Sequence, residues 1–174
     1  MAALRFLAKQ YAKLGVGIVG PGWYNYMDVG AQINDAGSNG AFNKLNNRVV
    51  GVVNPRGSHH WLAYHISVGS SGKIICHLFD PMQNWDRYKT LQHQIKTVIA
   101  PTYQARFEIA DVEFIRWHHC KQQDGHPCGV WSLFSLESML SSHEWCDECY
   151  TMEQFYRLRL LHHCSRPLDF DDTC

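Results

Sequence analysis

The sequence predicts an α+β domain in which one buried helix packs on a mixed sheet, and three observations carry that prediction. Residues 49–53, 61–68, 73–79 and 112–117 are short β-branched or alternating runs bounded by Gly, Pro, Asn and Ser. Residues 1–14, 85–99 and 152–163 repeat their apolar side chains at helical spacing. From Cys128 to Leu140 the positions Val130, Trp131, Leu133, Phe134, Leu136, Met139 and Leu140 are too many for a surface helix, so this helix belongs at the centre. Its polar positions Ser132, Ser135 and Ser138 recur every three residues, a narrow face of small side chains that lets neighbours approach closely.

Taken in order, the first helix rests on Leu4, Leu7, Tyr11 and Leu14. Residues 15–22 read as a glycine-rich connector, 23–27 as an aromatic cluster opening a short helix, and the Asn-rich residues 34–47 as loop. The strands at 61–68 and 73–79 pair as a hairpin through the turn at residues 69–72. Pro81 ends the second of them directly after Asp80, because the pyrrolidine ring cannot donate to a ladder. Pro101 is expected to stop the helix over 85–99. Past residue 167 the chain is acidic and reads as a loose tail.

The 174 residues fit one domain, with a catalytic core at 49–140 flanked by an N-terminal helix and loop (1–48) and a C-terminal helix and tail (141–174). Sixteen basic side chains balance sixteen acidic ones, but residues 1–75 carry seven of the former and only two of the latter. No basic run or stripe marks a nucleic-acid partner. No apolar run reaches membrane-spanning length. Seven cysteines form no even disulfide framework, and without a secretory signal the expected location is intracellular, in nucleus or cytoplasm. Cys146-x-x-Cys149 followed by His162, His163 and Cys164 has zinc-like spacing. The two histidines, however, project about a hundred degrees apart on a helix, so no metal is assigned.

The chemistry centres on the polar loop of residues 122–127, which delivers Cys128 to the first turn of the central helix. Gly125 and Pro127 punctuate that loop. Unpaired N–H groups and the helix dipole stabilise negative charge at this position, which makes Cys128 a candidate nucleophile. A nucleophilic thiol needs a base, a carboxylate to orient it and a donor for the oxyanion. His60, Asp80 and Gln122 lie at strand ends or in loops where each of these roles can be filled. The residues read singly leave other roles open: Asp80 as a turn residue, Gln122 as a solvated amide, His60 as a surface histidine with His59 as the base. Trp61 at the start of the strand favours His60.

His60-Trp61, Asp80 twenty residues later, and Gln122 six residues before Cys128-Gly129 follow one another in a distinctive order. With the run at 49–54 before them, they resemble the ubiquitin-like-protein-specific (SUMO, or sentrin) proteases of cysteine peptidase clan CE, relatives of the adenovirus protease. The match spans residues 49–140. The resemblance implies Cys128 as nucleophile, His60 as general base and then acid, and Asp80 as the orienting carboxylate. It implies Gln122 as an oxyanion donor with the Cys128 N–H. Trp61 would wall a narrow tunnel for a diglycine C-terminus, and Trp23 is the candidate for the other wall. Pro127 stands where many SUMO proteases carry Asp, and the region before His60, which in that family helps bind the modifier, is shorter here.

The implied activity is thiol proteolysis after glycine at the C-terminus of a ubiquitin-like modifier, on peptide or isopeptide bonds, by a monomer with no cofactor. Two alternatives share these residues: a same-clan acetyltransferase drawing its acyl group from coenzyme A, and a catalytically inactive, transposon- or virus-derived module that only binds a modifier.

Overall fold

The computed structural model describes residues 1–55, 58–69, 72–123 and 127–165. Helix α1 (Ala2–Gln10) leads to strand β1 (Val16–Val19), α2 (Val29–Gly37), β2 (Arg48–Val53), β3 (Leu62–Val68) and β4 (Ile74–Phe79). Then come α3 (Trp85–Gln94), α4 (Ala100–Phe107), β5 (Val112–Arg116), α5 (Cys128–Ser141) and α6 (Glu153–Ser165). The sheet order is β1-β2-β3-β4-β5, with antiparallel pairs β2–β3 and β3–β4 at the centre and parallel pairs at both edges. A mixed sheet with helices on both faces is therefore the observed architecture.

The period of two divides the strands between two cores. Leu62, Tyr64 and Ile66 of β3 and Ile74, Cys76 and Leu78 of β4 face Tyr88, Leu91, Ile95, Val98 and Tyr103 of the α3–α4 layer. Val50, Val52, Ala63 and Phe79 face Leu4 and Leu7 of α1 and Trp131, Leu136 and Leu140 of α5. Helix α5 is central as expected, and Ser132, Ser135 and Ser138 are all buried. The Ser132 hydroxyl donates to the Trp61 carbonyl at 3.2 Å and the Ser135 hydroxyl to the Ser132 carbonyl at 2.9 Å, so the small face is satisfied as well as tight.

Three expectations are corrected. Residues 16–19 are a strand: Gly17, which reads as connector, sits where a Cβ would lie 2.5 Å from the Ala41 carbonyl oxygen, so it is there for close approach. Residues 34–37 are helical, the end of an α2 that Asp28 caps by accepting the Ala31 N–H at 2.8 Å. Pro101 stops nothing: a π-helical segment, Ile95–Ile99, joins α3 to α4, and Pro101 occupies the first turn of α4. The wider turn accommodates the missing donor and the ring. The tip of the 69–72 turn, Gly125 and the acidic tail lie outside the described residues.

Candidate active site

Asp80 follows the last residue of β4 and is fully buried. Its Oδ1 lies 2.5 Å from His60 Nε2 and accepts the Met82 N–H at 2.8 Å, while Oδ2 accepts the Asn84 N–H at 3.1 Å. Arg87 Nη1 stands 3.9 Å from Oδ2. A buried carboxylate with this many donors is held in one orientation. Nε2 of His60 is taken by Asp80, which leaves Nδ1 as the nitrogen able to exchange a proton. The backbone just before β3 is fixed too: the His60 carbonyl accepts from Asn54 Nδ2 at 3.2 Å and from the Ser58 hydroxyl at 3.4 Å. His60, and not the exposed His59, meets the carboxylate.

Cys128 is the first residue of α5 and is 6% exposed. Its thiol donates weakly to the His59 carbonyl at 3.7 Å, which puts the sulfur against the backbone that immediately precedes His60. Trp61 covers the next residue, with its Cδ1 3.4 Å from where a Gly129 Cβ would stand, so the indole packs in van der Waals contact over the start of the helix. A cavity of about 290 Å³ beside Trp61 is bounded by Met1, Leu4, Val52 and Leu133.

Gln122 is buried, and its N–H donates to the Pro81 carbonyl at 2.8 Å, so the loop leading to Cys128 is stitched to the turn that carries Asp80. A second stitch was not legible in the sequence. Gln83, in a left-handed conformation (φ 55°), donates through Nε2 to the Cys120 carbonyl at 2.7 Å and accepts from the Tyr88 hydroxyl at 2.9 Å. The Tyr88 oxygen in turn accepts the Asp80 N–H at 3.2 Å. Burial pushes the Tyr88 hydroxyl up to about 12, so it stays protonated and can donate. Nothing in the local pattern marks Gln83; only the Asn84 cap of α3, accepting from Asp86 and Arg87, had a sequence signal.

Trp23 is corrected. It is 0% exposed, donates its indole N–H to the Tyr64 hydroxyl at 3.1 Å and packs in the core on the α3 side of the sheet, so it forms no wall of an open channel. The Cys146 and Cys149 sulfurs lie 3.7 Å apart, but His163 stacks on Phe6 with ring centroids 4.0 Å apart. Among the described residues no three His, Cys, Asp or Glu side chains are grouped to hold a metal ion. Among them also, no helix is long and apolar enough to cross a membrane.

No family model matches the chain, and no curated protein sequence matches it. Solved structures do. The SUMO protease Ulp1 with its catalytic cysteine oxidised to a sulfinic acid aligns with a TM-score of 0.67 at 13% identity, over 93% of this chain and 76% of that one. A de-sumoylating protease aligns at 0.63 and 13% identity, covering 93% and 78%. The Xanthomonas campestris effector XopD bound to ubiquitin aligns at 0.57 and 15% identity, covering 92% and 86%. The fold is therefore that of the clan CE cysteine proteases.

Proposed function

We propose that the protein is a cysteine peptidase that cleaves after a terminal glycine of a ubiquitin-like modifier. The observation that carries this reading is the buried Asp80 holding His60 Nε2 at 2.5 Å next to a cysteine on the first turn of a helix. The Ulp1 structure in complex with Smt3, the yeast ortholog of SUMO, and the XopD structure with ubiquitin support a modifier as the partner.

His60 Nδ1 takes the Cys128 proton as sulfur attacks the glycine carbonyl, and Asp80 supports the imidazolium. The Cys128 N–H and the Gln122 amide donate to the developing oxyanion. Collapse breaks the C–N bond, with the proton passing from His60 to the leaving amine and leaving a thioester on sulfur. Water then attacks that thioester, giving a proton to His60; the C–S bond breaks, His60 returns the proton to the Cys128 sulfur, and the modifier's carboxylate leaves. Trp61 against Gly129 narrows the approach to sulfur, which favours glycine over residues with side chains.

The test is a panel of SUMO, ubiquitin and Nedd-type electrophilic C-terminal probes on wild type and Cys128→Ser. Labelling of wild type alone by one probe supports the reading. Probe-silent protein that turns over acetyl-CoA selects the acetyltransferase, and modifier binding unchanged by Cys128→Ala without any labelling selects the inactive module.

A further inference from the structure

The C-terminal half of α5 covers a second pair of histidines that the proposed peptidase does not use. His65 of β3 and His77 of β4 stand directly opposite each other in the antiparallel register, with ring centroids 6.0 Å apart and planes within 15° of parallel. His65 is 4% exposed, and neither of its ring nitrogens meets a protein partner; the same holds for Nδ1 of His77 and for the indole nitrogen of Trp145. All three side chains line one cavity of about 510 Å³, whose rim carries the exposed side chains of His119, His143 and Glu144.

A buried polar group without a partner costs on the order of 1–3 kcal/mol. Val50, Val52, Ala63 and Phe79 make the neighbouring part of this sheet face apolar, with Arg48, Ser67 and Glu113 near the strand ends, and the ring nitrogens of His65 and Nδ1 of His77 find no partner among them. Hydrogen-bonding power concentrated on one cavity points to a ligand, and paired neutral imidazoles are the donor set of a borderline transition ion. We propose that His65 and His77 chelate a divalent transition ion, zinc foremost, with water filling its other positions, since no third His, Cys, Asp or Glu side chain among the described residues is grouped with them. Burial pushes His65 down to about 3, with His77 and Arg48 acting in the same direction, and burial lowers His77 against the opposing charge of Glu113. Protons therefore compete little for these nitrogens near neutral pH. The ion would lie at the opposite end of α5 from Cys128, about 20 Å away at 1.5 Å per residue, and would act on stability.

Cobalt(II) and zinc(II), each added alone to the full chain, decide the matter. Expected are visible d–d bands on cobalt binding without a thiolate-to-cobalt charge-transfer band, and a Tm rise of about 5 °C or more at a hundredfold excess of zinc over its Kd. His77→Ala, at a half-buried site, should weaken both at least tenfold, while Cys146→Ser leaves them unchanged. His65→Gln serves as a second variant when circular dichroism shows it folded; otherwise His77→Ala alone decides. No binding by wild type, a dominant thiolate band, or undiminished binding by His77→Ala overturns the proposal.

Discussion

The two ends of α5 each face a histidine at or near the start of the hairpin, and the two imidazoles have opposite surroundings. At the N-terminal end His60 meets a buried carboxylate that is itself held by two backbone N–H groups. At the C-terminal end the buried ring of His65 stacks beside His77, and its nitrogens have no hydrogen-bond partner among the described residues. The same side chain, five residues further along the chain, changes from a ring held by a carboxylate to a ring without a hydrogen-bond partner among the described residues. The carboxylate makes the difference: Asp80 sits where β4 ends, so only the histidine at that edge of the sheet reaches it, while His65 is paired across the strands with whatever β4 presents there, which is His77.

The largest effect expected belongs to the N-terminal end. His60→Ala should lower turnover of a fluorogenic modifier substrate by at least about 10³-fold, as Cys128→Ala should, while His59→Ala stays close to wild type. Normal turnover by His60→Ala would show that the bonded pair is structural. Gln122→Ala should cost about 10²-fold in kcat if its amide faces the oxyanion. Gln83→Ala, which cuts the tie between the Asp80 turn and the loop before Cys128, should lower kcat about tenfold with KM little changed, because it misplaces the groups without touching substrate. An equal effect on KM would make Gln83 a binding residue instead.

The smallest effect belongs to the C-terminal end and is one of pH. His65 is held near 3 by burial in the folded chain and returns to about 6.5 when unfolded, so below pH 6.5 the unfolded state binds the extra proton. Stability should be constant above pH 6.5 and fall as pH drops toward 3, by up to about 1.4 kcal/mol per pH unit for this one group. Urea titrations at pH 7 and pH 5 check it, and His65→Leu should flatten the slope.

Much of this was legible before any coordinates. The hairpin, the strand ending at Pro81 and the buried α5 follow from local pattern, since alternation, ring geometry and an all-round apolar surface each act within a few residues. The order of His60, Asp80, Gln122 and Cys128 was legible for the same reason, each lying at a punctuated element end. Other features were hidden because distant chain determines them. Gly17 looks like a linker until Ala41 is seen against it. Pro101 looks like a stop until the π segment opens the turn. Trp23 looks available until Tyr64 takes its N–H.

The sequence by itself determined which side chains are candidates for the chemistry, four of the five strands and the central helix, because periodicity and turn residues are properties of neighbours in the chain. Only the tertiary structure decided that Asp80 bonds His60 and not His59, that Gln83 braces the loop, and that His65 lies beside His77. Register and burial set those contacts, and both arise from packing between residues that are far apart in sequence.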